Sequence, residues 1–241
     1  MKNSISKIIA IIFLATIFTS CSADIFNSVN GNKNVVTQVR KTPNTFTGIK
    51  VSTGIDLYVT QGSKNKVTVE ADENLHDIII TEVEDGVLKV YSEKNIWKAK
   101  ARKVYVTIKY LTLLKATSGS DVYGKGTIKT DEISISATSG ADIRITVNAT
   151  SVETSSTSGS DIYVAGTAIN HASNATSGAS IDAYELESKN VLVKATSGAD
   201  INIYASEKLD ANANSGGDID FKGNPKSVNK NSSSGGGISK R

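Results

Sequence analysis

Five aspartates in the second half of the chain, Asp121, Asp142, Asp161, Asp200 and Asp218, each lie two residues after a glycine, with Ser180 filling the gap in the series. If the segments carrying them stack at the ~4.8 Å spacing of paired strands, neighbouring carboxylates repel by roughly a kcal/mol per pair in a water-like medium. Solvent, counter-ions, hydrogen bonds or bound Ca²⁺ would have to offset that cost. Calcium takes roughly six to eight oxygens per ion, more than one column of carboxylates supplies, so a solvated ladder without a cofactor is the expectation and calcium the lesser alternative. Tyr58, Tyr123, Tyr163, Tyr184 and Tyr204 share the outward parity of these acids. On a flat β surface such rings could stack on sugars or fill a protein interface.

Other chemistry is sparse. The chain has two histidines, His76 and His171, and one cysteine, Cys21, so no His-x-x-x-His metal pair can form. Neither a Gly-x-Ser-x-Gly elbow nor a phosphate-cradling glycine loop is present. No catalytic residue or metal site is expected. One basic cluster, Lys94, Lys98, Lys100, Arg102 and Lys103, surrounds the single tryptophan, Trp97. It could meet anionic headgroups, lipopolysaccharide or acidic glycans, but a solvated loop with Trp97 folded onto the body is the simpler expectation.

The elements that position these residues are repeats. The phrase Ala137-Thr138-Ser139-Gly140-Ala141-Asp142-Ile143 recurs with variations seven times, its glycines being Gly119, Gly140, Gly159, Gly178, Gly198, Gly216 and Gly235. A period near 20 residues with period-two alternation inside it predicts short stacked strands, an all-β parallel β-helix with coils of about 20 residues. One column, Val122, Ile143, Ile162, Ile181, Ile201, Ile219 and Ile238, is β-branched throughout and should face inward. By the same parity Ser118, Ser139, Ser158, Ser177, Ser197, Ser215 and Ser234 should form an inward serine column. A second inward strand is expected through Thr112, Ile133, Val152, His171, Val191, Leu209 and Val228.

The N-terminal part differs. Residues 1–20 have a basic start, Lys2 and Lys7, and a short apolar run from Ile8 to Phe18, the form of a secretory signal rather than a membrane span. Phe18-Thr19-Ser20-Cys21 resembles a bacterial lipobox, which makes Cys21 the expected lipid-attachment residue; an ordinary signal with a leftover cysteine is the alternative. Loss of Lys2 and Lys7 would lower the net charge from +3 to about +1, which removes the electrostatic case for nucleic acid. Residues 21–44 are polar and Asn-rich and read as a lipidated terminus and flexible tether, with Val35, Val36 and Val39 marking where order could begin. The β-helix domain is expected over 45–241, with regular repeats over 115–238. Asp85-Gly86 between Ile80–Val83 and Val87–Val90 is a hairpin signal. The polar last coil should close the solenoid, with its final residues loosely ordered.

Three stretches carry a family resemblance: Gly54-Ile55-Asp56-Leu57-Tyr58-Val59-Thr60-Gln61-Gly62, the run Val104 to Leu114, and the Ser-Gly-Ala/Ser-Asp-Ile repeats. Together, from about Phe46 to Ile238, they resemble the putative auto-transporter adhesin, head GIN domain family of bacterial envelope lipoproteins, with Asp56 where the GIN motif has Asn. The resemblance implies a β-helical fold and an adhesin-like role; with the lipobox and the outward tyrosines, the expectation is a non-enzymatic lipoprotein held at the outer membrane by its lipid, offering a flat β face to a glycan or envelope protein. The resemblance implies no catalytic residues. A polysaccharide-active enzyme on the same scaffold would need a cleft with converging carboxylates, and a purely structural envelope protein would need no ligand. The periplasmic or surface face is left open by Ser22-Ala23-Asp24.

Overall fold

The computed structural model describes residues 28–43 and 45–241, so the expected signal segment, Cys21 and residues 22–27 lie outside the described residues. About seven turns of about 19 residues stack into a β-solenoid, the architecture predicted from the repeat. A regular coil is one long bent strand, such as Asp142–Thr157 or Asp161–Thr176, closed by a Ser-Gly turn. Neighbouring coils pair in parallel and in register, Ile143 beside Ile162 and Val152 beside His171. Within Asp142–Thr157 the buried residues are Ile143, Ile145 and Val147, then Val152, Thr154 and Ser156. That change of parity marks a corner: each coil has a first side before it and a second side after it, with a thin core between.

The turn between coils sets this geometry. Ser139 and Gly140 have φ of 57° and 68°, and every regular turn repeats this left-handed pair. A Cβ on the turn glycines Gly119, Gly140, Gly159, Gly178, Gly198, Gly216 or Gly235 would meet nothing within 4 Å, so glycine is there for backbone freedom, not for space. The turn serines accept left-handed backbone at a cost of roughly 1–2 kcal/mol each. A hydrogen-bond ladder offsets it: the Gly140 N–H donates to the Ser158 carbonyl at 3.2 Å, and the Asp161 N–H donates back to the Ala141 carbonyl at 3.2 Å. The serine column is therefore not inward as expected. Two successive left-handed residues reverse the strand and reset its parity, leaving the serines exposed and turning Ser120, Ala141, Ser160, Ala179 and Ala199 inward.

One further expectation needs correction at the N-terminal end. Val35–Arg40 is a strand paired antiparallel with Lys66–Asp72, so residues 28–43 join the folded body rather than the flexible tether expected for 21–44. The coils also do not follow chain order. On the first side, Asp56–Gln61 lies between Arg102–Ile108 and Asp121–Thr138, and Lys66–Asp72 turns back antiparallel beyond Arg102–Ile108. On the second side, Ile79–Glu84 and Val87–Ser92 form the expected hairpin, with Asp85 and Gly86 both at positive φ, and Val87–Ser92 then stacks on Gly48–Val51. Both sides thus end in an antiparallel strand, which stops parallel growth. At the other end the last residues are held more firmly than expected: Gly237–Lys240 pairs with Asp218–Lys222, and Arg241 bonds to Asp220 at 2.6 Å.

The second inward column is buried as predicted at Ile133, Val152, Val191 and Leu209, while its end members Thr112 and Val228 are exposed. His171 occupies it too. The Thr154 hydroxyl donates to Ser173 Oγ at 3.0 Å, so its bond to His171 Nε2 at 2.9 Å has the imidazole as donor. Among the described residues Nδ1 is then a buried acceptor without a partner. Burial lowers the His171 pKa to about 4. A folded-state value below the ordinary 6.5 means that the unfolded chain binds the proton first, so stability falls as pH drops from 6.5 toward 4, by up to about 3 kcal/mol. H171V, matching Val152 and Val191, should raise the melting temperature at neutral pH and flatten the melting-temperature profile between pH 6.5 and 4. Parallel melts of the two proteins across that range check it.

Candidate functional site

Stacking in register places like side chains one above another, and on the first side this produces a continuous outer strip. Tyr58 pairs with Tyr105 on one neighbour and Tyr123 on the other, Tyr123 with Arg144, and Arg144 with Tyr163. The Tyr58 ring stacks on Tyr105 at 5.0 Å between centroids and on Tyr123 at 5.3 Å, within about 20° of parallel. Both Tyr58 faces are thus occupied, so the strip offers ring edges and hydroxyls outward rather than the open aromatic platform expected. Lys125 Nζ lies 5.2 Å from the Tyr58 centroid. The Tyr163 hydroxyl donates to Glu185. Burial, then the carboxylates of Glu70 and Asp121 respectively, raise the Tyr105 and Tyr123 pKa values, keeping both phenols protonated as donors.

Two residues earlier in each strand runs the acidic ladder. Asp121 pairs with Asp142 and Asp142 with Asp161, and Ser180 separates Asp161 from Asp200 and Asp218. Asp56 extends it, since its neighbour Leu57 pairs with Val122. Burial and then Asp142 raise the pKa of Asp121 and of Asp161; Arg102 and Arg144 pull Asp121 down, and Arg144 pulls Asp161 down. Two arginines therefore stand beside the acids and offset part of their mutual repulsion. Among the described residues no group of three or more His, Cys, Asp or Glu side chains is placed to hold a metal ion.

The structure brings Tyr58, Tyr123 and Tyr163 together and leaves Tyr184 and Tyr204 off the strip. Asp182 takes the next position after Tyr163, and Tyr184 instead lies under Lys222 Nζ, 4.0 Å from its centroid. Tyr105 and Arg144 are strip members that the sequence reading did not single out. Tyr105 had a usable signal, alternation in Val104-Tyr105-Val106, but its place depends on the coil order at the N-terminal end. Trp97 is not folded onto the body; it is 57% exposed. On the second side an open recess of about 450 Å³ is lined by Thr112, Glu132, Ser151, Glu153 and Asn170. Beside it lies a wider one of about 830 Å³ that includes Lys129, Asp131 and Glu132.

A two-sided solenoid bearing ladders of repeated side chains on an exposed face defines a surface-presenting repeat scaffold. The sequence profile of the family described as putative auto-transporter adhesin, head GIN domain matches residues 45–225, and the chain belongs to that family. An adhesin family of this kind points to the cell envelope. Among solved structures the fold is shared with a putative adhesin from Bacteroides fragilis, at TM-score 0.80 and 22% identity over 89% of this chain and 100% of that one. It is shared also with a putative lipid binding protein from Parabacteroides distasonis, at TM-score 0.72 and 22% identity over 89% and 99%. A putative adhesin from Parabacteroides merdae has TM-score 0.69 and 22% identity over the same shares. A comparison with curated proteins found no match.

The ladder geometry gives a direct stability test. An acid whose folded pKa is raised costs stability above its unfolded value, so Asp121 and Asp161, each raised by burial and then by the Asp142 charge, penalise the fold at neutral pH and not at pH 3. D142N should stabilise by about 1 kcal/mol at pH 7 and by much less at pH 3. Denaturant titrations at the two pH values measure the difference.

Proposed function

We propose that the chain is a non-enzymatic binding module of the outer membrane, lipid-anchored through Cys21, whose first side engages a glycan without a cofactor. The observation that carries this reading is the strip Tyr105–Tyr58–Tyr123–Arg144–Tyr163 running beside the acidic ladder. The Tyr58 and Tyr123 phenols can donate, since those of Tyr105 and Tyr163 already donate to Glu70 and Glu185; carboxylates accept, and Arg144 donates in a planar fork. Together these are the complements of hydroxyls arrayed along an extended sugar chain. Spacing by strand pairing repeats these groups every ~4.8 Å, so successive sugars meet similar surroundings and affinity accumulates over several weak contacts. An envelope protein presenting a polar strand is the other ligand class this surface suits. The polysaccharide-active alternative would place its chemistry in the second-side recess, where Glu132 and Glu153 come from adjacent coils and Lys129 and Asp131 lie nearby.

A glycan array and an envelope-fraction pull-down test the binding. Retention should be saturable and fall by on the order of tenfold or more in a Y58S/Y123S variant, at about 1 kcal/mol per ring, while E132Q leaves it unchanged. Loss with chelator would instead assign the ladder to calcium, and no retained ligand would move the structural envelope role ahead. For the anchor, C21S should abolish incorporation of labelled palmitate and shift the chain from the membrane fraction to the soluble one.

A further inference from the structure

We infer that the N-terminal end of the solenoid carries a second interaction surface, a docking patch for the headgroups of an anionic phospholipid bilayer. It is formed by Trp97 and a recess walled by Lys33, Lys98 and Lys100. The patch is built on a small two-stranded ribbon separate from the main sheet, in which Val29–Asn30 pairs in parallel with Ile96–Lys98. Alternation on Ile96–Lys98 buries Ile96 and turns Trp97 outward, 57% exposed. Beside it, Gly31, Lys33, Lys98, Ala99 and Lys100 line a recess of about 230 Å³.

A buried carboxylate shapes this recess. Asp72, wholly inaccessible to solvent, accepts backbone N–H bonds from Lys33 at 3.0 Å, Lys100 at 3.1 Å and Ala101 at 3.0 Å, so one side chain joins both walls. Burial alone would raise its pKa, but those backbone donors and the Lys100 charge outweigh burial and hold it below the ordinary value. Its charge is directed at backbone amides. Among the described residues no carboxylate lies within 4.0 Å of the ammonium of Lys33, Lys94, Lys98 or Lys100. Of the acids nearest in sequence, Glu73 is taken up by the side chain of Asn34 at 2.9 Å, and Glu93 is exposed beside Lys94.

Three lysines lining one recess with no carboxylate in ion-pair reach suit phosphate, and an exposed indole suits the boundary between headgroups and acyl chains. A free phosphate would use the lysines and leave Trp97 in water; a bilayer uses both. The ribbon is also where the chain arrives from Cys21, seven residues before Ser28 and so at most about 25 Å away along the chain. A lipid on Cys21 would hold the patch at the membrane, but the docking does not require it.

Trp97 is the single tryptophan of the chain and reports its own surroundings. The full chain, incorporated in mixed phosphatidylcholine–phosphatidylglycerol vesicles, should show blue-shifted emission quenched by lipids brominated high on the acyl chain. Pure phosphatidylcholine vesicles, or about 1 M salt, should abolish both effects. At about a fivefold effect per lysine, K33Q/K98Q/K100Q should lower the ratio of docked to undocked Trp97 on the order of 100-fold. K129Q/K189Q/K194Q, the same charge change elsewhere on the body, should leave it unaltered. A C21S chain on the same vesicles should keep the shift, separating this surface from the anchor, and circular dichroism confirms that each variant is folded. Emission unchanged by anionic vesicles, equal shifts in neutral ones, insensitivity to the triple substitution, or a shift with inorganic phosphate alone would each overturn the bilayer assignment.

Discussion

The structure depends on the left-handed Ser-Gly pair that closes each coil. Left-handed backbone is costly for serine, yet it recurs at every regular turn because the turns are bonded to one another. Each turn glycine before the last, Gly235, donates to the serine carbonyl of the next coil, and the residue after the turn donates in the opposite sense. One turn would gain little from this geometry, whereas a stack of them forms a continuous ladder along the edge of the solenoid. The tight reversal also explains the small residues just inside it. Ser120, Ala141, Ser160, Ala179 and Ala199 fill a space that larger side chains would overfill.

Exact stacking repeats every local choice at the strand spacing. Apolar columns gain from it, since β-branched residues pack on their own kind. Polar columns need an answer at each level, and three occur. Tyr105, Tyr58 and Tyr123 satisfy one another by ring stacking. The aspartates rely on solvent, on Arg102 and Arg144, and on the interruption at Ser180. The core hydroxyls of Thr154, Ser156 and Ser160 close local hydrogen bonds, at the expense of one bare nitrogen on His171.

Much of this is legible in the residues, and the exceptions have physical causes. The period of the glycines and the isoleucine column specify a parallel solenoid, because a repeat of 19 or so residues that alternates with period two stacks like residue on like as strands. The serine column misleads because period-two reasoning assumes an unbroken strand, and left-handed backbone leaves no mark in a pattern of polar and apolar residues. Val35, Val36 and Val39 signal where order begins, but the strand Val35–Arg40 and its partner are not legible in so polar a segment, because the valines pair at an edge, where Val39 remains 65% exposed. Coil order near the N-terminus is invisible because Asp56–Gln61 and Arg102–Ile108 both alternate, and nothing in alternation says which lies outside the other. Hence Tyr58 and Tyr123 could be placed on the strip and Tyr105 could not.

Each coil bonds to the coil before it and the coil after it, so a tensile load along the axis would pass through every interface in series. The strength of the rod is then that of its weakest joint rather than the sum of its joints. The outermost second-side strand, Ser227–Ser232, exposed at all six residues, is the natural first point of failure. Were the chain held at its N-terminal end and pulled by a ligand at Tyr58 and Tyr123, as proposed, the load would fall on deeply packed levels and bypass the frail final coil.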